Sequence, residues 1–300
     1  MIAIVDWGIG GLGFFARLRD RHPDLPVVYV SDAGETPYGR LAPAALAARV
    51  QAVAALVRRR GARHLVVACN AASTILPGLG VGGVVGPVAT PEGPVEITGM
   101  IPHAIRMVAR SGARTLGVVG GGRTIRSRVY SRALASPERR VLQRVAQPLS
   151  ALIEAGELRS DALDRELRRI LGPLRAVDTL LLACTHYPAI RDRFAEQLPQ
   201  ARILDPAAEV MRWVERHWLG TGDSDSDTGD SDTGDSDSRT GDSDKWCPDG
   251  LVTGRGAARA PEMFLTTGDA GAMRAAARRA FGVRLDTVET IPRYLGLGLA

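Results

Sequence analysis

The stretch His64-Leu65-Val66-Val67-Ala68-Cys69-Asn70-Ala71-Ala72-Ser73 has a counterpart in Asp178-Thr179-Leu180-Leu181-Leu182-Ala183-Cys184-Thr185-His186-Tyr187-Pro188. Each is an aliphatic run that ends in Ala-Cys and passes into small or polar residues at a helix start. A short, continuous apolar run fits a strand buried on both faces of a parallel sheet. Open α/β sheets place their ligands beyond the carboxyl ends of the strands, which is where both cysteines fall. One buried cysteine is common and usually inert. Two in matched contexts, 115 residues apart, predict two similar half-proteins facing each other across a cleft.

Upstream, Ile2-Ala3-Ile4-Val5 reads as a first buried strand. It runs into Asp6-Trp7-Gly8-Ile9-Gly10-Gly11-Leu12-Gly13 and a helical pattern from Phe14 to Arg21. Gly8-x-Gly10-x-x-Gly13 matches the dinucleotide fingerprint between strand and helix. Asp32, ending the next strand, stands where such a site needs an acid. A nucleotide site is one reading of the turn. The other is a tight glycine turn that lets backbone approach a ligand or another strand. Pro37-Tyr38-Gly39 is a turn that either offers backbone N–H groups and a phenol to a ligand or is an ordinary surface turn. An alanine-rich helix from about Ala42 to Arg60, capped by Gly61, leads to the first cysteine. A thiol beside a helix N-terminus has its pKa lowered, which is the expectation for Cys69.

Residues 77–99 are rich in Gly, Pro and Val and read as a connection holding one or two short strands. A second half follows, with a helix over Pro102–Ser111, a strand over Thr115–Val119, the turn Gly120–Thr124 and a helix from about Ser127. Helices over 148–171, joined at Gly156, carry Glu154 just before the break. Pro188 suits the first turn of the helix after Cys184. An amphipathic helix spans 206–219. Thr221 to Asp244 is an irregular Thr-Gly-Asp-Ser-Asp repeat without an apolar residue, and 221–245 reads as a disordered acidic insertion. Its spaced aspartates lack the glycine position and closing glutamate of a calcium loop. Folded sequence resumes near Trp246, and Thr266-Thr267-Gly268-Asp269 opens a last helix, 270–281, before a strand-like tail.

Hydrophobic content of 45% and charged content of 24% are those of a globular protein with a real core. Aromatics, at 5%, are too sparse for a base-stacking platform, and no basic stripe or motif marks a nucleic-acid binder. The formal charge of +5 hides an uneven spread: residues 221–244 hold nine aspartates and one arginine, leaving about +13 elsewhere. Three cysteines without framework spacing point to a reducing compartment. The start lacks a signal-peptide pattern and no apolar stretch is long enough to span a bilayer, so the expected location is cytoplasmic, with no membrane partner.

Metal binding does not fit Cys69, Cys184 and one nearby histidine, which lack zinc-site spacing. A disulfide is disfavoured by compartment. A single thiol with His186 as base suits acyl transfer but leaves the Cys69 stretch without a purpose. Two opposed thiols suit inversion of a carbon centre, one taking a proton from one face while the other returns a proton to the opposite face. Asp6 is within reach of Cys69 if their strands are adjacent. His186 is two residues from Cys184, and Glu154 is a further candidate for the same side.

At these residues the chain resembles the cofactor-independent glutamate racemases of the aspartate/glutamate racemase superfamily. Asp6-x-Gly8-x-Gly10-Gly11 is similar to the family's Asp-Ser-Gly-x-Gly-Gly, and Pro37-Tyr38-Gly39 to its Pro-Tyr-Gly turn. Ala68-Cys69-Asn70-x-Ala72-Ser73 resembles Ala-Cys-Asn-Thr-Ala-Ser. Cys184-Thr185-His186-Tyr187-Pro188 and Thr266-Thr267-Gly268-Asp269 match as they stand. The resemblance implies an α/β fold of two pseudo-symmetric lobes, each a mostly parallel sheet flanked by helices, with the site in the cleft. It places 1–97 with 207–300 in one lobe and 98–206 in the other. It implies interconversion of L- and D-glutamate without pyridoxal phosphate or metal, for peptidoglycan. Cys69 and Cys184 would be the acid/bases, assisted by Asp6, His186 and Glu154. Trp7, Pro37, Tyr38, Gly39, Asn70, Ala71, Thr124 and Thr185 would line the substrate, a small amino acid, and a homodimer is the expected assembly.

Departures fall around Cys69: Trp7 replaces a serine, Ala71 a threonine and Gly121 a threonine, while Ile101-Pro102-His103-Ala104 replaces an Ile-Glu-Pro-Gly element. These leave two alternatives, a different amino or carboxylic acid substrate and a paralogue with a decayed site that binds or regulates.

Overall fold

The computed structural model describes residues 1–221 and 260–293. Apart from Thr221, the acidic repeat, its calcium-like spacing and the resumption at Trp246 lie outside the described residues. Strands β1 (Ile2–Asp6), β2 (Val27–Ser31), β3 (His64–Val67), β4 (Val85–Val88) and β5 (Val95–Gly99) belong to a seven-stranded sheet. A four-stranded sheet holds β6 (Thr115–Gly120), β7 (Arg140–Val145), β8 (Thr179–Ala183) and β9 (Arg202–Leu204). The chain then returns to the first sheet with β10 (Glu262–Thr266) and β11 (Val288–Thr290). The orders are β11-β10-β2-β1-β3-β5-β4 and β7-β6-β8-β9. The run β2-β1-β3-β5 is the same walk, second-first-third-fourth, as β7-β6-β8-β9, and every pairing within both runs is parallel. That repeat is the two-lobe symmetry, and it makes β3 with Cys69 the counterpart of β8 with Cys184. Edge strand β4 alone is antiparallel.

Alternation along the strands sorts the core into layers. Ala3 and Val5 of β1, with Leu65 and Val67 of β3, pack on Leu46, Val50, Val53 and Val57 of the helix Pro43–Arg59. Ile2 and Ile4 face the other way, into a cluster that also takes Leu180 and Leu182 of β8 and Val119 of β6, so one core runs through both lobes. Leu116, Val118 and Leu181 cover the outer face of the second sheet against Ile101, Ala104 and Val108 of the helix Met100–Ala109. Strand β5 runs through Gly99, so the crossing comes at Gly99–Met100. On the return, the helix Pro206–Val214 packs on both Leu12–Arg21 and Met100–Ala109.

Local signals explain the element ends. Pro43 opens its helix, and Gly61 takes the left-handed φ of +92° just beyond it. Asp205 and Asp269 cap the helices Pro206–Val214 and Ala270–Phe281 by accepting from Ala207 N and Ala272 N. The helix expected over 206–219 divides into Pro206–Val214 and a π-helical turn, Glu215–Leu219. The helix expected from Ser127 is two short ones, Gly122–Arg126 and Val129–Leu134, broken where Arg128 adopts φ 55°. Among the described residues no helix is long and apolar enough to cross a membrane.

Candidate active site

Both cysteines sit just past the carboxyl ends of central strands, on loops that meet between the sheets. Ser73 Oγ donates to the carbonyl of Cys69 at 2.8 Å and accepts from Met100 N at 2.9 Å, tying the Cys69 turn to the crossing. Cys69 lies within hydrogen-bonding reach of the Asp6 carboxylate, since β1 and β3 are neighbours. Asp6 is buried; its Oδ1 accepts from Trp7 N at 2.7 Å and its Oδ2 from Thr185 Oγ1 at 2.8 Å. The Thr185 bond crosses from one lobe to the other.

Burial raises the pKa of Asp6, offset in part by His186, the Cys69 thiol and its two donors. Cys69 is pushed well above the ordinary thiol value, by burial first and by the Asp6 charge second. This corrects the expectation that a helix N-terminus lowers it. The helix Asn70–Ser73 has only four residues and a correspondingly small dipole, while the thiol is desolvated beside a carboxylate.

Cys184 is half-buried, with His186 Nδ1 3.8 Å and Ser150 Oγ 3.5 Å from its sulfur. His186 Nε2 lies 2.6 Å from Glu154 Oε1, which also accepts from Ile9 N at 3.3 Å. Burial opposes the charged imidazole, but contacts with Cys184 and Glu154 outweigh it and hold His186 well above its usual range. Burial likewise opposes the Glu154 carboxylate, and its bond to His186 prevails and lowers it. Glu154 stands in the last turn of the helix Gln147–Ala155, an unfavourable end for an anion, ahead of Gly156 at φ +83°. The His186 cation is what makes that position favourable.

The glycine turn has a steric role. A Cβ at Gly10 would lie 2.6 Å from Asp6 Oδ2, His186 Nδ1 and Thr185 Oγ1, and one at Gly8 would strike Glu154 Oε1. These glycines admit side chains of the opposite lobe against the first turn. Asp32, the acid of the dinucleotide reading, accepts from Tyr38 Oη (2.7 Å), Arg49 Nε (2.6 Å) and Thr267 Oγ1 (2.8 Å) and is fully buried. It is an internal brace with no oxygen left for a ribose.

Tyr38 therefore turns its phenol inward, not toward a ligand, and its turn contributes backbone. The Tyr38 carbonyl accepts from Arg123 Nε at 3.1 Å, and Arg123 also donates to the Leu41 carbonyl. Pro37 and Gly39 remain half-buried beside this junction. Trp7 is held by its indole Nε1, 2.9 Å from the Glu35 carbonyl, and packs on the outer core layer of the first lobe. Ala71 packs on the same layer and presents only a methyl. Asn70 Oδ1 accepts from Tyr130 Oη at 2.6 Å, leaving its buried Nδ2 without a partner. Thr124 is buried on the helix Gly122–Arg126, which contacts the helix Asn70–Ser73 across the lobes.

Three residues at this junction were absent from the sequence reading: Ser150, Tyr130 and Arg123. Burial, with Arg126 nearby, lowers the Arg123 pKa, and no carboxylate pairs with it among the described residues. The same residues include no group of three or more His, Cys, Asp or Glu side chains arranged to hold a metal ion.

A family model described as Asp/Glu/Hydantoin racemase matches residues 14–213. The chain is 31% identical to a glutamate racemase of Gloeobacter violaceus over 216 residues, 70% of this chain and 78% of that one. It is 33% identical to one of Pseudomonas entomophila over 225 residues, 72% and 80% of the two chains. Among solved structures it is similar to the Thermus thermophilus glutamate racemase in complex with beta-chloro-D-alanine, with TM-score 0.72, 26% identity and 98% of each chain covered. It shares the fold of the Francisella tularensis glutamate racemase in complex with D-glutamate, with TM-score 0.73, 18% identity and 97% of each chain covered.

Proposed function

Because the chain belongs to the Asp/Glu/hydantoin racemase family, and so is a cofactor-independent isomerase, we propose that it interconverts L- and D-glutamate with Cys69 and Cys184 as the two acid/bases. The observation that supports this most is the pairing of each sulfur with its own titratable partner, brought from opposite lobes to one junction. Cys69 faces Asp6, and Cys184 faces His186 backed by Glu154. The charge of Cys184 raises the Cys69 thiol further.

In this scheme the thiolate on one face takes the Cα proton while the thiol on the other face delivers its own. The substrate leaves inverted and the two sulfurs have exchanged protonation states, which prepares them for the reverse direction. Asp6 and the His186–Glu154 pair move or hold the protons at Cys69 and Cys184. The free Nδ2 of Asn70 is a donor for a substrate carboxylate, and the backbone of the Pro37–Gly39 turn and Thr185 lie at the same junction. Arg123 bridges the lobes here through its bonds to the Tyr38 and Leu41 carbonyls. In the cell the product would be D-glutamate for peptidoglycan, made in the cytoplasm by a chain that pairs as a homodimer.

Trp7 and Ala71, where hydroxyls stand in the resemblance, favour one rival: the same chemistry on a less polar amino acid. Incubating the protein with each L-amino acid and resolving the products by chiral chromatography separates the two. Glutamate as the fastest substrate supports the proposal, and an apolar amino acid turned over at least tenfold faster replaces it with the rival.

A further inference from the structure

Cys184 has a neighbour that the two-thiol scheme leaves unused. Ser150 stands on the helix Gln147–Ala155, four residues before Glu154 and therefore on the same face. That face brings Ser150 Oγ to 3.5 Å from Cys184 Sγ while Glu154 meets His186 at 2.6 Å. The Tyr187 hydroxyl lies within reach of both Ser150 and Cys184 and donates its proton to the Ala146 carbonyl at 2.8 Å. With its proton committed there, Tyr187 can only accept. Ser150 thus has two acceptors within reach, Tyr187 Oη and a Cys184 thiolate, and one donor, a Cys184 thiol. A serine hydroxyl rotates freely between such arrangements.

We infer that Ser150 is the hydrogen-bonding partner of Cys184 during proton transfer, donating to its sulfur as thiolate and accepting from it as thiol. No proton changes owner at Ser150. The hydroxyl turns from the sulfur to Tyr187 as the sulfur gains its proton, so both states of Cys184 are satisfied. Cys69 is met instead by the acceptor-rich carboxylate of Asp6 and by the backbone N–H of Ala72. A sulfur with two donors, Ser150 Oγ and His186 Nδ1, beside one that faces a carboxylate and a single backbone donor is an unequal pair. The catalytic use of this inequality rests on the two-thiol reading, whereas the hydrogen bond itself does not.

The test uses substrate-free protein and iodoacetamide as the probe. Alkylation rates at Cys69 and Cys184 are followed separately by peptide mass spectrometry from about pH 5 to 10, in wild type, Ser150→Ala and Ser150→Thr. A hydrogen bond to a charged group is worth enough to move a thiol midpoint by about one pH unit, a tenfold change in thiolate below it. Ser150→Ala therefore raises the Cys184 midpoint by about one unit, Ser150→Thr restores it, and the Cys69 midpoint stays put. An unchanged Cys184 midpoint in Ser150→Ala, an equal shift at Cys69, or no restoration by threonine overturns the assignment. Since no substrate is present, the proposed function can fail in exchange assays while this result stands, and the reverse.

Discussion

Replacing Glu154 by glutamine removes one negative charge while keeping an oxygen where Oε1 stands. The bond to Ile9 N at 3.3 Å needs only an acceptor and survives. What changes is the partner of His186 Nε2, now 2.6 Å from a carboxylate. A hydrogen bond to a charged group contributes about 1.5–3 kcal/mol, and one pKa unit is about 1.4 kcal/mol, so the imidazole loses about 1–2 units. Burial then acts with less opposition and favours the neutral ring. Nitrogen-15 histidine spectra followed across pH resolve this, because the chain has five histidines. The His186 midpoint falls by about 1–2 units in Glu154→Gln. Turnover falls with it, by about 10- to 100-fold, the rate equivalent of the same free energy. A midpoint within about 0.3 units of wild type refutes the claim that Glu154 holds the His186 charge, since that shift is under a third of the smallest expected from the bond.

Two more outcomes are expected. Gly10→Ala places a methyl 2.6 Å from three polar atoms of the site, so turnover drops more than about 100-fold and stability falls by about 1–3 kcal/mol, whereas Gly78→Ala, with open space around it, changes neither by more than a few tenths in free energy; activity and urea unfolding curves check both. Buried His103 donates from Nε2 to Thr98 Oγ1, whose own proton goes to the Val84 carbonyl, and burial lowers its pKa to about 4. The folded ring stays neutral while the unfolded ring binds a proton below about pH 6.5, so stability is lost as pH falls from about 6.5 toward 4. Between pH 7 and 4.5, roughly 2–3 kcal/mol of the loss in wild type is absent from His103→Gln, as unfolding at the two pH values shows.

The fold was legible where strands are buried on both faces. β1, β2, β3, β6 and β8 are continuous aliphatic runs, and the cysteine motifs mark where two of them end. Strand β7, Arg140-Val-Leu-Gln-Arg-Val, was missed because it is an edge strand with arginines in solvent and no apolar run. β9 has three residues, too few to carry a pattern. In the site, Cys69, Cys184, Asp6, His186 and Glu154 could be named from chemistry and motif, and the structure brings all five to one junction. Ser150 carried no signal beyond an i, i+4 spacing to Glu154. Tyr130 and Arg123 reach the other lobe through contacts that sequence separation hides. The glycine turn was recognised for close approach, but what approaches is Glu154, His186 and Thr185, from residues more than 140 positions away. The Tyr38 phenol misled, since a phenol in a turn gives no sign of whether it faces a ligand or, as here, Asp32.

The two-thiol proton transfer is tested most directly by deuterium at Cα. Wild-type protein in D₂O, given either enantiomer of glutamate, is predicted to return the inverted enantiomer carrying one solvent deuterium at Cα. Cys69→Ala and Cys184→Ala are each predicted to form none of it. Inversion at the wild-type rate by either variant, or inverted product that keeps its original hydrogen, contradicts the pairing of Cys69 with Cys184.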